Sequence, residues 1–204
     1  MMEYFRPDKD LLMQLEAAFP KEFAEDVQVV FHAMRAAPKE LLPFFFDHTA
    51  EWTLLSGEKI TLPYRIYLSD DLSFSNKMTA RQERIYHCIC SRNHNGYVRQ
   101  KHIEALLDSD PPEWAMPYII KICDEYVNEI LEVVYYKLRE KDCGKYKALC
   151  ALNFDNIRIG HARMISYWNE FYRCECDRYK YYIGRRLYEK CFGYNKTGQK
   201  TIIY

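Results

Sequence analysis

The chain has 204 residues, of which 49% are hydrophobic and 28% charged, with only 7 glycines and 8 prolines. This composition is typical of a folded globular protein and excludes the collagen-like, disordered and disulfide-scaffold classes. The 29 lysines and arginines balance 29 aspartates and glutamates, which argues against a protein that binds polyanions over its whole surface.

Hydropathy predicts no membrane segment. Residues 1–20 carry acidic side chains among the apolar ones, so they form neither a signal peptide nor a membrane span. No later window approaches the roughly 18 apolar residues that a span requires. We expect a cytoplasmic protein, in which the 8 cysteines are mostly thiols buried as small hydrophobic side chains.

Two helices are predicted over residues 8–37. Asp8 is the expected N-cap of the first, Pro20 separates the two, and Pro38 ends the second. Their apolar residues recur at helical spacing, as Leu11, Leu12, Leu15 and Phe19 in the first and Phe23, Val27, Val30, Phe31 and Met34 in the second.

A small β-hairpin is predicted next, after a further apolar run at residues 41–46. β-Branched and aromatic residues flank a turn at residues 56–59, which predicts strands near 51–55 and 59–68. Pro63 would fall in the second strand, so that strand should lie at a sheet edge.

From Thr79 onward the pattern is helical. Residues 79–82 fit a capping box, in which a threonine hydroxyl and a glutamine side chain exchange hydrogen bonds with the first turn. Asn95-Gly96 is expected to end that helix with a positive φ angle, before a second helix over residues 97–107.

Asp110-Pro111-Pro112-Glu113 predicts the start of a third helix, with an N-cap, a proline at the first position and an acid at the third. Its apolar stripe continues to Leu138, and Pro117 implies a kink or a late start. Gly144 lies in a predicted connector, and the tail at residues 195–204 has little to bury. Further helices are predicted near residues 145–152, 157–173 and 176–192.

Two tripeptides, Tyr97-Val98-Arg99 and Tyr126-Val127-Asn128, lie 29 residues apart, and each follows one helical stretch and leads into another. Around them, residues 80–140 resemble HEAT-type helical repeats. The Val-Arg pair with alanine and leucine downstream, within residues 98–106, resembles the second helix of such a unit. The second copy departs from it, with Asn128 in place of the arginine and Tyr135 in place of the leucine.

This resemblance implies a stacked α-solenoid whose concave surface binds proteins or nucleic acid, and it implies no catalytic residue. The alternative is an ordinary helical bundle. In either case the predicted fold is mainly α in a single domain, residues 1–204, with one hairpin insertion near residues 50–70. Its predicted parts are the N-terminal helices and hairpin at 1–78, the helical body at 79–192 and a loose tail at 193–204.

Residues 87–94 form the most metal-like stretch. On a helix, positions 87, 90 and 94 share a face, so His87, Cys90 and His94 are the candidate zinc ligands. No fourth ligand is evident, and the spacing matches neither a zinc knuckle nor a zinc ribbon. The alternative interpretation is buried thiols and a histidine that faces a loop, and we expect no metal and no cofactor.

The C-terminal third combines arginines with aromatic residues. Residues 163–173 are unusually aromatic, and Arg178, Tyr182 and Arg185 would share one helical face. Such a face can bind phosphates and stack on bases, and it is equally typical of protein interaction hot spots. The candidate binding residues are Arg92, Arg99, Tyr167, Arg178, Tyr182, Arg185 and Arg186.

No motif carries a catalytic signature: the chain contains no P-loop, no GxGxxG, no HExxH and no nucleophile elbow. The first hypothesis is therefore a helical protein-interaction module without chemistry of its own. The alternative is a nucleic-acid-associated protein that uses its basic C-terminal face, and the third is an enzyme with an unrecognised site. Charge is uneven along the chain, with 6 basic and 11 acidic residues over 1–60, 13 and 14 over 61–156, and 10 and 4 over 157–204.

Overall fold

The computed structural model describes residues 8–36, 48–67 and 78–194. Within these ranges the chain forms nine α-helices and one two-stranded antiparallel sheet, which confirms the predicted mainly α fold with a single hairpin. The helices are α1 (Asp8–Glu16), α2 (Ala24–Ala36), α3 (Ala80–Cys90), α4 (Gly96–Asp108), α5 (Met116–Lys121), α6 (Asn128–Leu138), α7 (Gly144–Leu152), α8 (Phe154–Tyr167) and α9 (Ile183–Lys190). The strands are β1 (Thr49–Thr53) and β2 (Lys59–Pro63).

The first two helices form as predicted, with a 3₁₀ turn at Lys21–Phe23 after Pro20. Their apolar stripes are buried against α3 and the helices that follow. The predicted cap by the Asp8 side chain and the apolar run at residues 41–46 lie outside what the structure describes.

The hairpin pairs Thr49 with Pro63 and Thr53 with Lys59 around a turn in which Gly57 takes a φ of 87°. It is held to the helices by Asn153, whose amide group accepts from the N–H of Thr53 and donates to its C=O, both at 2.8 Å. The second strand is shorter than the predicted 59–68, because beyond Pro63 the backbone at Ile66 pairs with the loop after α3.

The predicted capping box at the start of α3 is confirmed. Thr79 Oγ1 accepts from the N–H of Gln82 at 3.3 Å, and Gln82 Oε1 accepts from the N–H of Thr79 at 3.1 Å. The role predicted for Asn95-Gly96 is wrong. Helix α3 ends at Cys90, and Asn95 instead begins α4, accepting from the N–H of Tyr97 at 3.0 Å, while Gly96 is not among the positive-φ glycines.

The long third helix of the prediction is divided. A 3₁₀ turn forms at Glu113–Ala115 with Pro112 at its N-cap position, so Asp110, with a φ of 50°, is not the N-cap. Pro117 lies in the first turn of α5, which confirms the late start. After a further 3₁₀ turn at Ile122–Asp124 the helix is broken over residues 125–127 and resumes as α6.

The C-terminal helices also differ from the prediction. Helix α8 passes into a π-helix at Trp168–Tyr172, and a 3₁₀ turn at Tyr179–Tyr181 precedes the short α9. Helix α6 packs between α4 and α9. Gly184 permits the close approach of α9 to α8, because a Cβ atom at that position would lie 2.8 Å from Met164 Sδ.

Most of the cysteines are buried in the core, as predicted, and the eight of them, which all lie in described ranges, are not joined in disulfides. The predicted tail at 195–204 lies outside the described residues. In the described ranges no helix has the length and apolar character needed to cross a membrane.

Candidate binding surface

The break between α5 and α6 turns Glu125 inward, onto three arginines from distant parts of the chain. Its Oε1 lies 2.5 Å from Arg65 Nη1 and 3.4 Å from Arg92 Nη1, and its Oε2 lies 2.7 Å from Arg99 Nε. Because the Glu125 carboxylate is buried, these ion pairs compensate charges that water does not solvate.

Arg92 and Arg99, predicted as surface binding residues, are 0% and 1% exposed. Arg92 donates from Nε to the C=O of Pro63 at 3.1 Å, and Arg99 donates from Nη1 to the C=O of His94 at 2.9 Å. Burial lowers the pKa of the Arg92 guanidinium, while Glu125 acts to raise it. Both arginines therefore hold the loop after α3 and the chain after β2 to the helix break, and neither side chain is presented to solvent.

A second buried charge group lies beside this one. Asp124 forms ion pairs with Lys121 and, at 3.5 Å, with Arg163, and both cations lie over the ring of Tyr64. Burial lowers the pKa of Lys121 to about 8, against the opposing effect of Asp124. Together the two charge groups connect residues 121–125 to α8 and to the chain after β2.

The residue after Glu125 faces outward. Tyr126 is half exposed, and its ring contacts Tyr167 and Phe171 at centroid distances of 6.0 and 6.3 Å. Phe171 belongs to the π-helix, a conformation that often marks functional sites. We call Tyr126, Tyr167 and Phe171 the aromatic patch.

A groove of about 530 Å³ runs between α4 and α6. Helix α4 contributes Gln100, Glu104 and Asp108, and α6 contributes Glu129, Glu132, Val133, Tyr136 and Lys137. Four carboxylates thus face one lysine, and that lysine is already paired with Asp108. We call this the acidic groove.

A pocket of about 320 Å³ opens between the start of α6 and the segment from the π-helix to α9. It shares Glu132 and Tyr136 with the acidic groove, so the two are adjacent. We call it the tyrosine pocket, after its four tyrosines. Its lining includes Asn128, Glu132, Tyr136, Tyr172, Glu175, Tyr181, Tyr182 and Arg186.

Two polar atoms of these lining residues are buried and have no hydrogen-bond partner among the described residues. They are the hydroxyl of Tyr182, a residue only 3% exposed, and Oδ1 of Asn128. Burial raises the pKa of Tyr182, so its hydroxyl keeps its proton at neutral pH. The wall of the pocket therefore contains one group that can donate and accept and one pure acceptor, both just beneath its surface.

The basic C-terminal face takes a different form from the prediction. Arg178, Tyr182 and Arg185 do not share one helical face, because the chain leaves the helical path after the π-helix and re-enters it only at α9. Arg178 is exposed, whereas Arg185 is paired with Glu189 at 2.7 Å. The pocket does bring Tyr182 and Arg186 together, and Tyr167 lies in the aromatic patch.

The candidate zinc ligands point to different neighbours. His87 Nδ1 lies 2.7 Å from Nδ1 of His102 on α4, and Cys90 is buried. His94, in the loop after α3, stacks on Tyr67 from the chain after β2. Across the described residues, no group of three or more His, Cys, Asp or Glu side chains is placed to hold a metal ion.

The acidic groove is not among the features predicted from the sequence. One signal was available, because Gln100, Glu104 and Asp108 recur every four residues and so follow one face of α4. The second acidic row, at Glu129 and Glu132, lies on a helix that the sequence did not separate from α5. That the two rows face each other is a property of the tertiary packing.

Comparison with models of protein families, with curated proteins and with solved structures finds no match to this chain.

Proposed function

We propose that this chain is a protein-binding module without a reaction of its own, and that it holds a basic segment of a partner protein in the acidic groove. The observation that carries this proposal is the groove itself, in which four carboxylates face one paired lysine. Electrostatic complementarity of this kind selects partners and accelerates their association.

The surroundings of the groove support a peptide-like partner. Val133 and Tyr136 supply apolar surface within the groove, and Tyr126 and Phe171 of the aromatic patch are further exposed aromatic residues. Exposed aromatic residues beside complementary charge are typical of interaction hot spots. The same carboxylates would repel phosphates, which favours a protein over a nucleic acid.

The HEAT-like arrangement is part of the proposal. The two tripeptides of the proposed repeat lie at the starts of α4 and α6, and these helices pack on each other. Stacked helical hairpins of this kind present grooves between successive helices. A reducing compartment such as the cytoplasm suits six buried thiols that are not joined in disulfides.

The test uses a fluorescein-labelled peptide of alternating lysine and glycine, with a second of alternating arginine and glycine, and measures binding by fluorescence anisotropy at low salt. The groove variant is Glu104→Lys with Glu129→Lys, two exposed or half-exposed positions that bear no ion pair among the described residues. We expect the peptides to bind the wild type, and the groove variant to bind about tenfold more weakly or less, a loss of ~1.4 kcal/mol.

The matched control is Glu22→Lys with Glu83→Lys, which changes the net charge equally at exposed positions outside the groove and should keep the wild-type affinity. Equal weakening by both double variants would indicate only non-specific charge attraction and would refute the groove. A labelled single-stranded DNA is the third probe. Tight binding of that DNA, weakened by Arg178→Glu with Arg185→Glu, would replace the proposal with the nucleic-acid alternative.

A further inference from the structure

We propose that the tyrosine pocket is a subsite for one cationic side-chain head, the ammonium of a lysine or the guanidinium of an arginine. This inference rests on the proposed function, because the side chain would belong to the segment bound in the acidic groove. The pocket and the groove share Glu132 and Tyr136, so a long side chain of a segment in the groove lies within reach of the pocket.

The walls of the pocket suit a cation. The rings of Tyr172 and Tyr182 lie 6.1 Å apart at an interplanar angle of 24°, and Tyr136 and Tyr181 are more than half exposed beside them. The face of a tyrosine ring carries negative charge density and attracts ammonium and guanidinium groups. A volume of about 320 Å³ is enough for the end of one long side chain.

Two buried polar atoms of the pocket wall can accept hydrogen bonds from a ligand with N–H groups. Asn128 donates from Nδ2 to Glu132 Oε1 at 2.9 Å, and this bond orients the amide so that its Oδ1 is an acceptor with no partner in the described part of the chain. The buried hydroxyl of Tyr182 is the second such group. Buried polar atoms of this kind are costly when left unpaired, and a cationic head brings the N–H donors that would satisfy them.

The net charge of the pocket also selects a cation over an anion. The lining holds two carboxylates, Glu132 and Glu175, and one guanidinium, that of Arg186. The Arg186 guanidinium lies 4.9 Å from the ring centroid of Tyr135, and this cation–π contact holds its charge on that ring. An anion in the pocket would be repelled by two carboxylates and attracted by only one guanidinium, which already contacts the ring of Tyr135.

The experiment uses small probes, so that it does not depend on any peptide. Methyl NMR spectra of the wild type, labelled at isoleucine, are recorded during titration with n-butylammonium, with n-butylguanidinium and with the neutral n-pentanol. Ile183 lines the pocket and Ile89 lies in the core, so their methyl signals are the reporter and the internal control. We expect a saturable shift of the Ile183 signal with at least one cation and none with n-pentanol.

The pocket variants are Tyr182→Phe, which removes only the hydroxyl, and Glu175→Gln, which removes one charge. Each should raise the dissociation constant of the cation about fivefold or more, whereas Tyr97→Phe and Glu83→Gln, at exposed positions away from the pocket, should leave it unchanged. Circular dichroism confirms folding, and Tyr181→Ala, at an exposed position of the lining, replaces Tyr182→Phe if the latter does not fold.

The inference is overturned if Ile183 does not respond to either cation, or responds equally to n-pentanol. If n-butylammonium binds more tightly, the side chain in the pocket is a lysine, and if n-butylguanidinium binds more tightly, it is an arginine. If the peptides bind the groove but the pocket variants leave their affinity intact, the subsite fails and the proposed function stands. If the cations bind the pocket while groove charge reversal changes no peptide affinity, the proposed function fails instead.

Discussion

At the scale of single residues, Glu125 has the largest structural consequence. One carboxylate forms ion pairs with Arg92 and Arg99, which are both fully buried, and with Arg65 from the chain after β2. Buried charges that lose their partner are not solvated by the protein interior. The position of the loop after α3, and hence of α4 beside the groove, therefore depends on this side chain.

Glu125→Gln is expected to lower the free energy of unfolding by about 3–5 kcal/mol, because two buried guanidinium groups lose their counter-charge while the side-chain shape is kept. Urea unfolding followed by circular dichroism measures this. Glu129→Gln is the matched control four residues along the chain, where loss of the charge of an exposed carboxylate should change stability by less than ~0.5 kcal/mol. A loss below ~1 kcal/mol for Glu125→Gln would show that the arginines do not depend on it.

At the scale of elements, local signals were predicted well and long-range contacts were not. The capping box at Thr79, the turn at Gly57 and the late start at Pro117 each depend on a few adjacent residues, and the structure confirms all three. The break between α5 and α6 escaped prediction because apolar residues continue at helical spacing on both sides of it. At the break Glu125 pairs with arginines that lie 60, 33 and 26 residues away along the chain, and a local pattern does not contain such contacts.

Where the candidate binding residues lie also depends on long-range contacts. The sequence singled out Tyr167, Tyr182 and Arg186, which the structure places in the aromatic patch and the tyrosine pocket. It also chose Arg92 and Arg99 as surface residues, since nothing local distinguishes an arginine in solvent from one buried on a distant carboxylate. The acidic groove needs two helices to face each other, and periodicity in one helix does not state which helix is its neighbour.

The cap of α3 gives a prediction for an element. Thr79 is exposed and has no role in the core, so Thr79→Ala removes only the hydrogen bond to the first turn and should cost about 1 kcal/mol of unfolding free energy. Thr79→Ser keeps the hydroxyl and should restore most of that loss. Urea unfolding of the three proteins measures both effects, and equal stability of the alanine and serine variants would contradict a cap that acts through the hydroxyl.

At the scale of the whole molecule, burial decides which charged side chains remain at the surface, although the sequence holds equal numbers of basic and acidic residues. Residues 61–156 hold 13 basic and 14 acidic side chains, a sum that predicts no patch. Three of the basic ones, Arg92, Arg99 and Lys121, and two of the acidic ones, Asp124 and Glu125, are buried in the two charge groups. Among the described residues of this section these groups therefore remove one more basic than acidic charge from the surface, and the carboxylates of the acidic groove remain outside.

The whole molecule also determines how stability responds to alkaline pH. Burial raises the pKa of the Cys88 and Cys123 thiols and of the Tyr118 and Tyr188 hydroxyls well above their ordinary values. In the unfolded chain thiols lose their protons near pH ~8.5 and tyrosines near ~10, so above these values the unfolded state binds fewer protons than the folded one. Stability contributed by these groups is complete at neutral pH and falls as pH rises.

Lys121 acts in the opposite direction. Its pKa is lowered to about 8 in the folded chain, so above that value the folded lysine loses a proton that the unfolded one keeps, and stability rises with pH. One lysine opposes at least four thiols and tyrosines, and we expect the free energy of unfolding to fall between pH 8 and 10.5. Urea unfolding at a series of pH values, with a reductant present, measures the sign.

Cys123→Ala assigns part of this fall to one side chain. The variant lacks a thiol that stays protonated only in the folded state, so the stability advantage of the wild type over it should shrink by up to ~1.4 kcal/mol per pH unit above pH ~8.5. Cys174→Ala is the matched control, and because Cys174 is exposed in the folded chain its difference from the wild type should stay constant. A constant difference for Cys123→Ala from pH 7 to 10 would mean that the thiol at this position ionises equally in both states, which is incompatible with its burial in the core.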